Sequence, residues 1–325
     1  VLAIAGIASA EEGEPSGPPA PEPLLDRTQQ SVHSAVSRTA MHIDSWLGNE
    51  HEEVEPGLYD EAWGSVAPAI LWDEFDGFQT RFRFRVTLPL PRTNERFDAF
   101  IGRVNRDEYV TERALPSGAF PRQYGPEEDE QTIFGIRYRD RPHDERGYFD
   151  LGTGIRLRFP LDPYVKGSYV YDLGSQQVLL LSLRETVFWQ NSEKLGLTSR
   201  IDLSRVIEER WLFRWTGSAT FSQRTDGVRG YSTLTTMRGL PRRRALAMEF
   251  FMNGETDAEV PLHDYGVKFG YRQSVVRDWL VLETRVSLSW PKEFRDQPRA
   301  PSWGVGIGFE MFFGTDQFLA RPVTF

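Results

Sequence analysis

Phe78-Gln-Thr-Arg-Phe-Arg-Phe-Arg-Val-Thr-Leu-Pro-Leu90 alternates two unlike faces with a period of two. One face carries Phe78, Thr80, Phe82, Phe84, Val86, Leu88 and Leu90; the other carries Gln79, Arg81, Arg83, Arg85 and Thr87. Side chains alternate across a β-strand, so this segment is a strand with one apolar and one cationic surface. Three arginines on one face do not fit a dry sandwich core, where each would need a buried partner. They fit a wet lumen behind a lipid-facing wall, or the solvated face of a soluble sheet.

The same alternation recurs downstream. Tyr148–Phe159 sets Phe149, Leu151, Ile155, Leu157 and Phe159 against Asp150, Gly152, Gly154, Arg156 and Arg158. Leu195–Leu203, Tyr265–Tyr271 and Trp303–Phe313 repeat it. Alternating segments of about ten residues divided by turn residues are the pattern of a transmembrane barrel. Strands are predicted near 62–72, 78–90, 97–106, 131–139, 148–159, 164–171 and 177–189, and then near 195–205, 211–223, 230–240, 245–254, 264–273, 279–290 and 303–313. The fold class is therefore all-β, an antiparallel barrel of about fourteen strands, with twelve as the alternative. Pro68 makes the first strand the weakest, and Glu185, in phase with Leu181 and Leu183, obscures the facing of the seventh.

Loop parity and tryptophan placement support this register. If both ends lie in the periplasm, the long connections 107–130, 254–263 and 291–302 are extracellular, and the short ones, 91–96, 206–210, 241–244 and 274–278, are periplasmic turns. Trp189, Trp211, Trp279, Trp290 and Trp303 all fall at strand ends, where membrane barrels place their aromatic girdles.

Bulk composition agrees. The chain is 39% hydrophobic, yet carries 22 Phe, 11 Tyr and 9 Trp, and its mean hydropathy is −0.46. No run approaches the roughly 20 apolar residues of a spanning helix. A net charge of −9 argues against a nucleic-acid partner. The lack of cysteine suits, without requiring, an oxidising compartment.

Residues 1–10 read as a signal-peptide remnant ending in Ala8-Ser9-Ala10, followed by a Pro/Glu-rich linker over 11–24. An amphipathic helix is predicted next, with Asp26 as N-cap, Gln29 three residues on and Gly48 at its end. Leu25, Val32, Val36, Ala40, Ile43 and Leu47 form its apolar stripe, and an acidic connector completes the unit 25–61. The barrel then spans 62–313 and a tail covers 314–325.

On these residues the chain resembles the Gram-negative outer-membrane β-barrels of the porin-like superfamily over 62–313. Its final strand, Gly304–Phe313, resembles the targeting strand read by the barrel-assembly machinery, although twelve residues follow it. The Arg-x-Arg-x-Arg-Val-x-Leu-Pro-Leu-Pro run after a Trp-Leu-Gly helix resembles uncharacterised proteobacterial barrel proteins. The resemblance implies the bacterial outer membrane, with lipid and lipopolysaccharide as surroundings and the assembly machinery as a partner in biogenesis. Helix 26–47 is left to dock in the lumen, at its periplasmic mouth, on the membrane surface, or on a periplasmic partner.

The predicted lumen carries Arg81, Arg83, Arg85, Arg137, Arg139, Arg156, Arg158, Arg200, Arg214, Lys268, Arg272 and Arg285 against Asp150, Asp202, Glu249, Glu283 and Glu310. Such an interior is either an anion-favouring channel or a packed ionic network. Fourteen strands lie between filled eight-stranded barrels and open sixteen-stranded porins, so both readings stand. The acidic runs Glu50–Glu61 and Glu127–Glu130 are candidates to fold inward onto the arginines. A structural or anchoring barrel is the alternative function. A rim-active hydrolase is the third, resting on the adjacent pair His263 and Asp264 alone among five histidines. No metal motif or cofactor loop is present in the sequence.

Overall fold

The computed structural model describes residues 62–91, 96–105, 109–112, 130–140, 146–175, 178–208, 210–241 and 243–314, with the helical positions Asp26, Gln30, Ser34 and Arg38. The proposed leader, linker and acidic connector, most of the helix, and the tail beyond Gly314 lie outside them.

Fourteen strands close into one barrel. They are β1 (Trp63–Asp73), β2 (Gly77–Pro89), β3 (Phe97–Asn105), β4 (Glu130–Asp140), β5 (Gly147–Arg156), β6 (Asp162–Ser175) and β7 (Leu179–Gln190), then β8 (Lys194–Ile207), β9 (Trp211–Ser222), β10 (Arg229–Leu240), β11 (Arg244–Glu255), β12 (Leu262–Val275), β13 (Arg277–Ser289) and β14 (Ser302–Phe313). Each pairs antiparallel with its sequence neighbours, and β1 closes on β14 through pairs such as Ile70 with Ile307. The fourteen-strand expectation holds, and the twelve-strand alternative does not.

Pro68 is accommodated in β1. It pairs with Phe82 of β2, while the ladder toward β14 skips from Val66–Met311 to Ala69–Gly308. Proline offers no N–H, so one side of the ladder is interrupted without loss of register. β5 is shorter than predicted and ends at Arg156, leaving Leu157, Arg158 and Phe159 in the connection to β6. β6 begins earlier, because Pro163 stands on its outward face opposite Ile155.

The molecule is inside out. Its large exposed hydrophobics include Phe82, Phe149, Leu197, Phe250, Phe269, Val286, Val305 and Ile307, all on outward positions of their strands. Its buried positions include many polar and charged residues, among them Arg81, Asp150, Lys166, Thr186, Arg200, Thr235, Glu249 and Glu283. Water outside and oil inside would give the reverse, whereas lipid outside gives this arrangement. The barrel thus spans a membrane with its strands, each of which pairs with a neighbour on either side.

Ile307 sits in mid-strand on the outward face of β14. Ile307→Arg is expected to destabilise the folded barrel by about 2–4 kcal/mol, read from denaturant unfolding in lipid vesicles. An unchanged midpoint contradicts the outward assignment.

Candidate functional site: the barrel interior

The alternation of β2 turns Arg81, Arg83 and Arg85 inward, with relative exposures of 7% and 5% for the first two. Their cross-strand partners on β1 are Ala69, Ala67 and Ser65, of which Ala69 pairs in turn with Gly308 of β14 and Ser65 with Phe312. The Arg85 guanidinium sits over the rings of Trp63 (4.4 Å) and Tyr109 (5.4 Å), a cation–π contact on each.

Elsewhere the inward cations meet carboxylates. Arg137 pairs with Asp98 (2.9 Å) and Arg139 with Asp150 (3.2 Å), in each case its direct cross-strand neighbour. Arg156 pairs with Asp162 (2.7 Å) and Arg200 with Asp202 (2.6 Å), whose carboxylate also accepts from Thr216 Oγ1. Lys268 lies 3.8 Å from Glu249 and over the Phe251 ring. Arg272 reaches Glu283 (3.3 Å) and Glu310 (3.1 Å), bridging β12, β13 and β14. Arg214 and Arg285 occupy inward positions of β9 and β13, opposite Thr235 and Gly270 respectively. Arg158 is the exception among the predicted lumen residues: it is exposed in the β5–β6 connection.

The sequence reading missed a group at the centre of this interior. Tyr109, Val110, Thr111 and Glu112 belong to the long β3–β4 connection, yet all four are buried. These four residues therefore lie inside the barrel wall. Glu112, at a φ of 53°, accepts hydrogen bonds from Arg184 Nη1 (2.7 Å), Ser168 Oγ (2.8 Å), Thr186 Oγ1 (3.0 Å) and Lys166 Nζ. Lys166 and Ser168 come from the inner face of β6, and Arg184 and Thr186 from that of β7. Beside it, Tyr109 and Val110 pack with Phe100, Val104, Ile133, Tyr164 and Phe188 in an apolar cluster inside the wall. A loop carries no periodic signal, so Glu112 was not findable by pattern. Lys166 was findable from the Tyr164-Val-Lys-Gly alternation, whereas the outward Glu185 masked the inward phase of Arg184. Asp98, Asp162, Glu193 and Glu255 are the other acidic residues that the sequence reading left off the inner wall.

The tryptophans predicted for the girdle stand at or near strand ends. Trp189 and Trp303 are exposed at the end bearing the long connections, where Trp290 stacks on Tyr265 at 5.4 Å. Trp211 and Trp279 begin β9 and β13 at the opposite end. At that end Arg277 also holds the helical Asp26 through Nη2 (2.8 Å) and Nε (2.9 Å), and this guanidinium keeps the Asp26 carboxyl below its usual range. His263 and Asp264 open β12, but among the described residues no hydroxyl hydrogen-bonds to the His263 ring. The acidic run 50–61 lies outside the described residues, and of 127–130 only the backbone of Glu130 falls within them.

No model of a known protein family matches the sequence, and no curated protein matches it. Solved structures do. An OprB of Pseudomonas putida matches with a TM-score of 0.51 at 10% identity, over 79% of this chain and 96% of its own. A loop-deleted OmpT, an outer membrane protein of Vibrio cholerae, matches with a TM-score of 0.44 at 10% identity, over 78% and 98%. An anion-selective porin of Comamonas acidovorans gives 0.44 at 11%, also over 78% and 98%. The first of these agrees with the fold; the other two add nothing to it. With its inverted polarity and closed strand ring, the chain is a β-barrel of the outer membrane.

Removal of the Glu112 carboxylate leaves Lys166 and Arg184 buried beside an unfilled site. Glu112→Ala is expected to destabilise the barrel by about 3–5 kcal/mol and to expose the β3–β4 connection to protease. Wild-type stability and cleavage rate in that variant would count against the inserted loop.

Proposed function

We propose that this porin-like barrel is a narrow passive channel that favours anions. The observation that carries this reading is the β2 ladder, in which three arginines in succession project from the inner face of one strand. Arg137, Arg156, Arg200 and Arg272 each pair with a carboxylate within 4 Å, and these pairs help set the shape of the passage. Clustered guanidinium groups in a low-dielectric wall raise the local concentration of anions and repel cations. The inserted Tyr109–Glu112 segment narrows the passage on the β3–β7 side. A small conductance is therefore expected, well below that of an open sixteen-stranded porin.

The same insertion supports a second reading, a sealed barrel that anchors an envelope assembly. In that case the helix tethered at Asp26 by Arg277 presents a face to a periplasmic partner.

Planar-bilayer recordings under a salt gradient separate the two. The channel reading predicts single-channel steps with a reversal potential on the anion side. The triple variant Arg81→Gln, Arg83→Gln, Arg85→Gln moves that potential toward the cation side by lowering anion permeability several-fold. Absence of any steps from the folded wild-type barrel sinks the channel reading and leaves the anchoring one.

A further inference from the structure

One part of the outer wall is not exposed. Alternation turns Leu88 and Leu90 of β2 and its extension, Ala99 of β3 and Phe313 of β14 to the lipid side, and Ala62 leads into β1 beside them. Each of the five is at most 2% exposed, whereas the outward leucines Leu151, Leu179, Leu197 and Leu246 of other strands are 45% to 49% exposed. Leu88 and Ala99 are direct partners across the β2–β3 ladder, and with Ala62 and Leu90 they form one apolar cluster. The Phe313 ring packs over Gly64, which carries the cluster across the closure of β14 on β1. A wall one layer thick leaves its outer side chains open to lipid. Another part of this chain therefore covers the patch.

Three stretches are candidates for the cover. The connector 48–61 carries Glu50, Glu52, Glu53, Glu55, Asp60 and Glu61, a poor match for buried leucine. The tail 315–325 has Phe318, Leu319, Val323 and Phe325 in no common period. The helix 26–47 has the stripe Val32, Val36, Ala40, Ile43 and Leu47. Its polar residues Gln30, Ser34 and Arg38 are exposed and lie on the face opposite that stripe. Arg277 and Trp279, at the start of β13, hold Asp26 close to the patch. The β12–β13 register shifts beside this anchor, so it marks a place on the rim rather than a face of the wall.

From β13 the ring runs through β14, β1 and β2 to β3. With strands about 4.8 Å apart and tilted by roughly 40°, these four steps cover about 25 Å of rim. A helix rising about 1.5 Å per residue covers that distance in roughly 17 residues, which brings Val36 near β1 and Ile43 near β3. We infer that the apolar stripe of helix 26–47 lies on the outer wall across the periplasmic ends of β14, β1, β2 and β3. The helix then bridges the seam where the first and last strands meet. Its polar face turns to the headgroups, as in amphipathic helices that lie in the membrane interface. This takes the helix out of the lumen, and it holds whether or not the barrel conducts.

The chain has no cysteine, so introduced pairs report contacts cleanly. Two pairs join the helix to the patch: Val36→Cys with Ala62→Cys, and Ile43→Cys with Ala99→Cys. Two controls combine Ile43→Cys with positions on β11, Leu246→Cys on its outer face and Ala247→Cys on its inner face. Each full-length variant carries a protease site in the connector and is verified as folded by heat-modified gel mobility. It is then treated in isolated outer membranes with a short bis-maleimide, cleaved and denatured. The N-terminal fragment is expected to stay attached to the barrel in both patch pairs and at least tenfold less in both controls. The two patch pairs test the same contact independently, so either one decides if the other does not fold. Stronger attachment through Ala247→Cys than through Ala99→Cys puts the helix in the lumen and overturns the proposal. Equal attachment in patch pairs and controls also overturns it. Absence of attachment in the patch pairs does so too, and leaves the patch to the tail or the connector.

Discussion

Lipid provides no hydrogen-bond partner, and this constraint shapes every level of the structure. A backbone crossing hydrocarbon must pair all its N–H and C=O groups within the protein, so a sheet can cross only if it has no edge. Closure of β1 on β14 meets that requirement. It also divides each strand into a face for lipid and a face for the interior, which forces the two-residue period seen from β2 onward. Even Pro68 follows from it, since a missing donor is tolerated where one ladder skips two positions and the other remains intact.

The interior answers the same constraint differently. Charges removed from bulk water require partners, and the wall supplies them at cross-strand distance: Arg137 with Asp98, Arg139 with Asp150, Arg272 with Glu283 and Glu310. Glu112 extends the scheme to a loop. Two cations and two hydroxyls from β6 and β7 compensate its burial, and the apolar side chains beside it fill the volume that a fourteen-stranded ring leaves open. On β2 three arginines in succession face inward opposite Ser65, Ala67 and Ala69, and this ladder underlies the proposed anion preference.

Much of this was legible in the sequence. Strand number, order and facing followed from period-two alternation, and the alternation of Phe82 with Arg81 and Arg83 was enough to place both walls. The errors share a cause. Leu157, Arg158 and Phe159 continue the alternating pattern past Arg156, but a strand ends where pairing ends, and pairing is set by the neighbour rather than by composition. Glu185 confused the reading of β7 because an outward carboxylate breaks the polarity rule on which facing was judged. Glu112 was invisible, because its burial depends on four residues 54 to 74 positions away. The inner-wall carboxylates Asp98 and Asp162 were passed over because each lies at a strand end, where facing is hardest to assign.

The account stands or falls on which face of the strands meets lipid. A nitroxide scan along residues 78–88 in reconstituted bilayers measures it directly, since the chain has no native cysteine to remove. Collision with oxygen, which concentrates in lipid, should peak at Phe78, Phe82, Phe84 and Val86 and fall at Gln79, Arg81, Arg83 and Arg85, with a period of two. The opposite phase, or ready access of a water-soluble nickel chelate to the phenylalanine positions, would contradict a membrane-spanning barrel with an arginine-lined interior.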